Sequence, residues 1–191
     1  MHIVLASTSR YRNELLQRLT LPFVTAKPDV DESPLPGEHP AATAERLAVD
    51  KAMAVAADHP DSLIIGSDQV AYLGSEVFGK PGSIPRAEEQ LRRMSGQTVV
   101  FHTAVALFNS RTERFSCRAV PTHVRFRALT DAEIQRYVAR EMPLDCAGSA
   151  KSEGLGIALL EALSGDDPTA LIGLPLIALA DMLRLEGVDL P

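Results

Sequence analysis

The chain has 191 residues, 46% hydrophobic and 23% charged, with a formal net charge of −6. That composition excludes a disordered segment, and the acidic balance argues against a broad surface for a nucleic acid polymer. A small basic pocket for an anion stays open, because net charge does not fix local fields.

The length fits a single domain over residues 1–191 that folds without a disulfide or metal staple. Cys117 and Cys146 form no CxxC pair, so two reduced, buried thiols are expected. The apolar run Ile3–Ala6 is too short for a signal peptide and has no basic flank. The apolar stretch 170–180 is broken by Gly173 and Pro175. No membrane association is expected, and the cytoplasm is the default location.

His2–Ala6 reads as a buried strand. Ser7, Thr8 and Ser9 follow as capping residues, and Leu15, Leu16 and Leu19 mark one face of a helix. Residues 23–26 are a candidate second strand. Residues 27–40 hold four prolines and four acidic side chains, a pattern that excludes a regular helix or central strand and predicts a long acidic loop. Residues 41–58 are helical by composition.

Residues 62–66 read as a short strand with Ser67, Asp68 and Gln69 at its carboxyl end, and 70–78 as a further strand or hairpin. A helix over 84–94 stops at Gly96. Two long strands follow, with a turn at 109–114. Thr130 and Glu133 form a capping box for a helix over 131–141. Residues 148–156 are a glycine-punctuated loop, and a last helix spans about 174–185. β-α units mixed with an antiparallel pair predict an α/β fold with a mixed sheet.

Several nucleotide and hydrolase signatures fail. Residues 74–81 approach a P-loop, but Pro81 stands where a magnesium-binding hydroxyl is needed and removes a backbone N–H. No GxGxxG, HExxH or GxSxG occurs, and the five histidines are scattered.

What remains lies in loops. Ser7, Ser9, Arg10 and Arg12 open a helix, which suits an anion, although such residues also serve as plain caps. Asp68 follows a strand, where a carboxylate holds a divalent metal, takes a proton from water, or caps a turn. Glu32 is a second carboxylate in the acidic loop. Lys51 lies on an apolar helix face and either meets a ligand or snorkels to solvent. Lys80 sits in the rigid turn Gly79-Lys80-Pro81, and Lys151 and Glu153 sit among glycines. These features suit a phosphate-bearing ligand and a metal without naming a reaction.

Eight segments stand out in order: Leu5-Ala-Ser-Thr-Ser-Arg-Tyr-Arg-Asn-Glu-Leu-Leu16, Asp29-Val-Asp-Glu32, Ala48-Val-Asp-Lys-Ala52, Ile65-Gly-Ser-Asp-Gln-Val70, Gly79-Lys-Pro81, Ser95-Gly96, Ala147-Gly-Ser149 and Gly173-Leu-Pro175. Together they resemble the Maf family of nucleoside triphosphate pyrophosphatases. The chain departs from the pattern at its start, where Arg10 replaces a proline, the doubled arginine is reduced to Arg12, and Asn13 stands at a further arginine position.

The resemblance implies a mixed, curved β-sheet flanked by helices, with two lobes around one deep cleft, and often a homodimer. It implies a hydrolase that cleaves the α–β phosphoanhydride of a nucleoside triphosphate with Mg²⁺ or Mn²⁺ and removes modified nucleotides from the pool. By resemblance Asp68 is the general base. Ser7, Arg12, Lys51 and Lys80 bind the triphosphate, and Glu32 belongs to the metal shell.

Tyr11 stands where many relatives carry Arg, and Gln69 and Glu153 where dTTP/UTP-type members carry Thr and Gln; the set resembles the branch that acts on 7-methyl-GTP. An N7-methylated guanine is cationic and favours an aromatic face and a nearby carboxylate. A dTTP, UTP or CTP pyrophosphatase is the alternative, as is a nucleotide-binding regulator of cell division with little turnover.

Overall fold

The computed structural model describes residues 1–191. Strand β1 (His2–Ala6) is flanked in parallel by β2 (Val24–Ala26) and by β3 (Ser62–Leu73). A hairpin adds β4 (Glu76–Phe78) to the end of β3. Strands β5 (Thr98–Asn109), β6 (Arg114–Phe126) and β7 (Leu160–Ser164) then continue antiparallel, giving the order β2-β1-β3-β5-β6-β7 with β4 off this path. Five helices flank this mixed sheet: α1 (Arg10–Gln17), α2 (Pro40–Ala54), α3 (Ile84–Met94), α4 (Asp131–Glu141) and α5 (Leu176–Leu185).

Two separate cores explain why β3 and β5 are so long. Each has 12 residues, about 40 Å of extended chain. Ile3, Leu5, Leu63, Ile65, Val105 and Leu107 point to one face and bury α1 through Leu15 and Leu16 and α5 through Leu179, Met182 and Leu183. Farther along the same two strands, Ala71, Val99 and Phe101 bury α3 through Leu91 and Met94 and α4 through Ile134, Tyr137 and Val138. The period of two along a strand puts both cores on one face and leaves a gap between them.

The opposite face carries α2. Gly66 is where it comes closest: a β-carbon there would overlap the Ala48 carbonyl oxygen and stand 2.8 Å from the Ala52 nitrogen. Ala44 and Ala48 keep the helix thin enough to lie on Ala104 and Ala106 of β5. No helix is long and apolar enough to cross a membrane.

The mixed α/β architecture read from the sequence is the one observed. Its details differ in five places. Residues 62–73 are one strand, because pairing with β5 runs unbroken from Leu63↔Asn109 to Tyr72↔Val100 through the polar Ser67-Asp68-Gln69. Asp68 therefore sits inside a strand, not beyond its end. Helix α2 stops at Ala54, with a 3₁₀ turn at Ala56–Asp58 after it. Strand β7 has no counterpart in the sequence reading. Helix α5 starts only after Pro175. Both cysteines are free but half-buried, and burial pushes the thiol of Cys117 up to about 11 and that of Cys146 to about 12.

Candidate active site

The outer edge of β3 is covered by β1 as far as Ile65 and by β4 from Ala71 onward. Residues 66–70 between them have no strand on that edge. Chain direction changes here, since β1 runs parallel to β3 and β4 antiparallel, and such switch points are where α/β sheets open to ligands. Ser7 leaves β1 on one side of the opening. Gly79 and Lys80 leave β4 on the other.

Asp68 lies at the middle of this stretch and is largely buried. It shares a face of β3 with Gly66, so the close approach of α2 at Gly66 brings Lys51 to it. The Lys51 ammonium donates to Asp68 Oδ1 at 2.6 Å and pairs with Glu32 Oε1 at 2.6 Å. Lys51 is only 5% exposed. A buried ammonium is costly unless its charge is matched, and two carboxylates converge to match it. Asp68 Oδ2 accepts no hydrogen bond from the protein, which leaves one carboxylate oxygen free to meet water.

The Glu32 carboxylate is held below the ordinary range, first by its bond to Lys51 and then by the charges of Lys80 and Arg12, against an opposing effect of burial. The charges of Arg12 and Lys80 thus act on the same carboxylate. Arg12 arrives there because Ser9 caps α1, its hydroxyl accepting from the Arg12 N–H at 3.4 Å. Its Nε then donates to the Gly173 carbonyl at 2.9 Å. Burial lowers the guanidinium pKa, while Asp68 and Glu32 pull it back up. Ser7 is buried at the turn, where its hydroxyl accepts from the Ser9 N–H at 3.1 Å. Lys80 is exposed on the rim.

Gln69 points to the other face of β3. Its amide nitrogen lies at 2.8 Å from Thr103 Oγ1, 3.1 Å from the Ala170 carbonyl and 3.0 Å from that of Leu171. The amide is thus committed to the segment that leads into α5, with its oxygen left as the free end. Ser67 on the same face lies 3.0 Å from the Gly173 carbonyl. The loop residues 167–173 are themselves fixed by Asp167, which accepts from the Thr169 N–H, the Thr169 hydroxyl and the Ile177 N–H at the start of α5.

Tyr11 stands at the mouth. Its hydroxyl donates to Asp145 Oδ2 at 3.3 Å and accepts from Arg10 Nη2 at 3.0 Å. The Arg10 guanidinium carbon lies 4.7 Å from the ring centroid, and the Lys151 ammonium 6.0 Å. Two cations thus already use the aromatic ring. Lys151 pairs with Asp145 at 3.4 Å. Burial opposes its charge, but the Tyr11 hydroxyl and Asp145 hold its pKa above the ordinary lysine value.

Of the residues singled out in the sequence, Glu32, Lys51 and Asp68 meet in direct contacts, the charges of Arg12 and Lys80 act on Glu32, and Ser7 is buried where β1 ends. Tyr11 is on the rim. Glu153 is exposed, and no hydrogen bond or ion pair joins it to Tyr11 or Gln69. The carboxylate that touches Tyr11 is Asp145, which sequence reasoning missed. No local pattern marks it, since its partner is 134 positions away. Glu38 and Arg46, whose side chains bond to each other and to the loop carrying Glu32, are likewise not singled out in the sequence.

A divalent cation fits the donor set in one way. Glu32 and Asp68 already converge on a positive group, and their oxygens suit a hard ion. No three His, Cys, Asp or Glu side chains cluster as a protein-only cage. Phosphate oxygens and water would have to complete the shell, as is common for magnesium.

Residues 2–186 match the family model described as Maf-like protein. A protein of Aromatoleum aromaticum named 7-methyl-GTP pyrophosphatase is 67% identical over 189 residues, covering 99% of this chain and 97% of the relative. Proteins of the same name from Thiobacillus denitrificans and a Polaromonas species are 62% and 60% identical; each alignment covers 98% of this chain, with 93% and 86% of the relatives. A solved nucleoside-triphosphatase (dITP/XTP pyrophosphatase) of Mycobacterium abscessus aligns at a TM-score of 0.49 and 15% identity, covering 96% of this chain and 94% of that one. With its match running through nearly every element of the fold, the chain belongs to the Maf family.

Proposed function

We propose that the protein hydrolyses 7-methyl-GTP to 7-methyl-GMP and pyrophosphate. The observation that carries this reading is the Lys51 ammonium held between Glu32 and Asp68 on the uncovered stretch of β3. The relatives' shared name supports the choice of substrate.

The chemistry follows from the side chains. A water molecule beside the free oxygen of Asp68 gives up a proton to it as its oxygen bonds to the α-phosphorus. The bond from that phosphorus to the α–β bridging oxygen breaks, and pyrophosphate leaves. Lys51 keeps Asp68 oriented and balances the two carboxylates. Arg12 and Lys80 neutralise charge that builds on the departing phosphates. Ser7 seats the triphosphate by hydrogen bonding. Glu32, with substrate oxygens, would hold Mg²⁺ or Mn²⁺, which when bound polarises the phosphate oxygens.

The cationic base would take the place of Arg10 or Lys151 against the Tyr11 ring, and the free oxygen of Gln69 and the carboxylate of Glu153 would face the base edge. Guanine N1–H and N2–H₂ are donors that suit such acceptors. Removal of modified nucleotides, a cytoplasmic location and a homodimer complete the proposal on the strength of the family resemblance.

The test is a panel of 7-methyl-GTP, GTP, dTTP, UTP and CTP with Mg²⁺ or Mn²⁺, the products separated by chromatography. Turnover of 7-methyl-GTP well ahead of the others, lost on chelation and restored by metal, supports the reading. Preference for a pyrimidine nucleotide would overturn the roles of Tyr11, Gln69 and Glu153. Tight binding without product would favour a regulator.

A further inference from the structure

Glu32 reaches Lys51 from a loop that has no regular hydrogen bonding of its own. Residues 27–39 contain three prolines, and the run carries no helix or strand. Inside the loop the Ser33 N–H donates to Asp31 Oδ1 at 2.9 Å and the Glu38 N–H to the Leu35 carbonyl at 3.0 Å; its tie to the rest of the fold comes from outside.

Arg46 of α2 does so. Its Nε donates to Glu38 Oε1 at 2.7 Å and its Nη2 to Glu38 Oε2 at 2.8 Å, a two-pronged pair. The same Nη2 lies 3.1 Å from the carbonyl of Ser33, the residue after Glu32. Nη1 is tied to Asp50 Oδ2 at 3.3 Å. Glu38 is in turn locked by the Leu35 N–H at 2.9 Å and the Thr43 hydroxyl at 3.0 Å. Its side chain is only 10% exposed. Arg46 thereby grips the loop at both ends of residues 33–38.

We propose that Arg46, through Glu38 and the Ser33 carbonyl, is the positioning residue that sets the Glu32 carboxylate at Lys51. The inference rests on the reading of Glu32, Lys51 and Asp68 as the reacting centre. The registration is built in: Arg46 and Lys51 belong to one helix, five residues or about 7.5 Å of rise apart. A loop pinned to the first is indexed to the second. Lysine at position 46 lacks the planar fork and grips one point at most.

The test is a double-mutant cycle with hydrogen exchange. Arg46→Gln should lower turnover roughly tenfold or more, since small misplacements of an active-site group carry losses of that order. Arg46→Lys should fall between it and the wild type, and keeps the charge if Arg46→Gln folds poorly. Exchange over residues 30–38 should rise in Arg46→Gln with the β-strands unchanged. The double variant Glu32→Gln/Arg46→Gln should be no slower than Glu32→Gln alone, because a positioning residue has nothing left to position. Wild-type turnover in Arg46→Gln, or losses that multiply in the double variant, would overturn the proposal. A Glu32→Gln protein with wild-type turnover would instead overturn the role of Glu32; the clamp then stands or falls on exchange over 30–38.

Discussion

Lys51 and Asp68 are 17 positions apart, on a helix and a strand, and meet at 2.6 Å on the one part of β3 that lacks an outer neighbour. The lysine cannot leave without exposing two carboxylates to each other. The carboxylate cannot leave without a buried ammonium losing one of its two partners.

Asp68→Asn keeps the shape and removes the base. Turnover of 7-methyl-GTP should fall by about 10²–10⁴, the usual worth of a positioned general base. Circular dichroism should be unchanged, as asparagine still accepts from Lys51. An Asn variant with near-normal turnover would remove Asp68 from the role of base.

Gly66→Ala should be far more damaging than its size suggests. The new methyl would overlap the Ala48 carbonyl oxygen, so α2 must move. Overpacking of this kind costs about 1–3 kcal/mol or more. The variant should melt several degrees lower and lose turnover as well, because Lys51 travels with α2. A protein of wild-type stability would show that the helix shifts freely.

Tyr11 separates stacking from hydrogen bonding. Tyr11→Ala should raise KM for 7-methyl-GTP by roughly 5- to 150-fold, from a stacking value of about 1–3 kcal/mol per base. Tyr11→Phe keeps the ring, gives up the bond to Asp145, and should stay near the wild type. Steady-state kinetics with both variants checks this; equal damage from Phe would make the Asp145 bond the important contact.

Glu133 gives the clearest dependence of stability on pH. The Thr130 N–H and hydroxyl, then Arg127, hold its carboxyl down at about 2 against an ordinary 4.5. The folded pKa is the lower one, so the contribution is complete above about 4.5 and lost as pH falls towards 2. In urea unfolding, Glu133→Ala should be less stable than the wild type at pH 7. The gap should close between pH 4.5 and 2; a gap constant over that window would contradict the assignment.

What the sequence reveals here depends on distance along the chain. The capping box of α4 is legible because Thr130 and Glu133 are three positions apart and both of its bonds are local. The members of the site are legible through motifs, but their convergence is not, since it depends on α2 resting on Gly66. Ser67, Asp68 and Gln69 read as a loop because their polarity hides a strand held by β5. Strand β7 is five residues long and its pairing with β6 shifts register at Arg125/Phe126, so it leaves no clean alternation. Asp145 carries no local signature, as its partner Tyr11 is 134 positions away, and no motif marks Arg46 as an anchor of the loop before α2.

The most direct measurement is turnover of 7-methyl-GTP in ¹⁸O-labelled water, with the products read by mass spectrometry. Attack on the α-phosphorus puts one ¹⁸O into 7-methyl-GMP and none into pyrophosphate, and that is the predicted result. Label in the pyrophosphate, or release of labelled orthophosphate with the diphosphate left behind, would contradict the account.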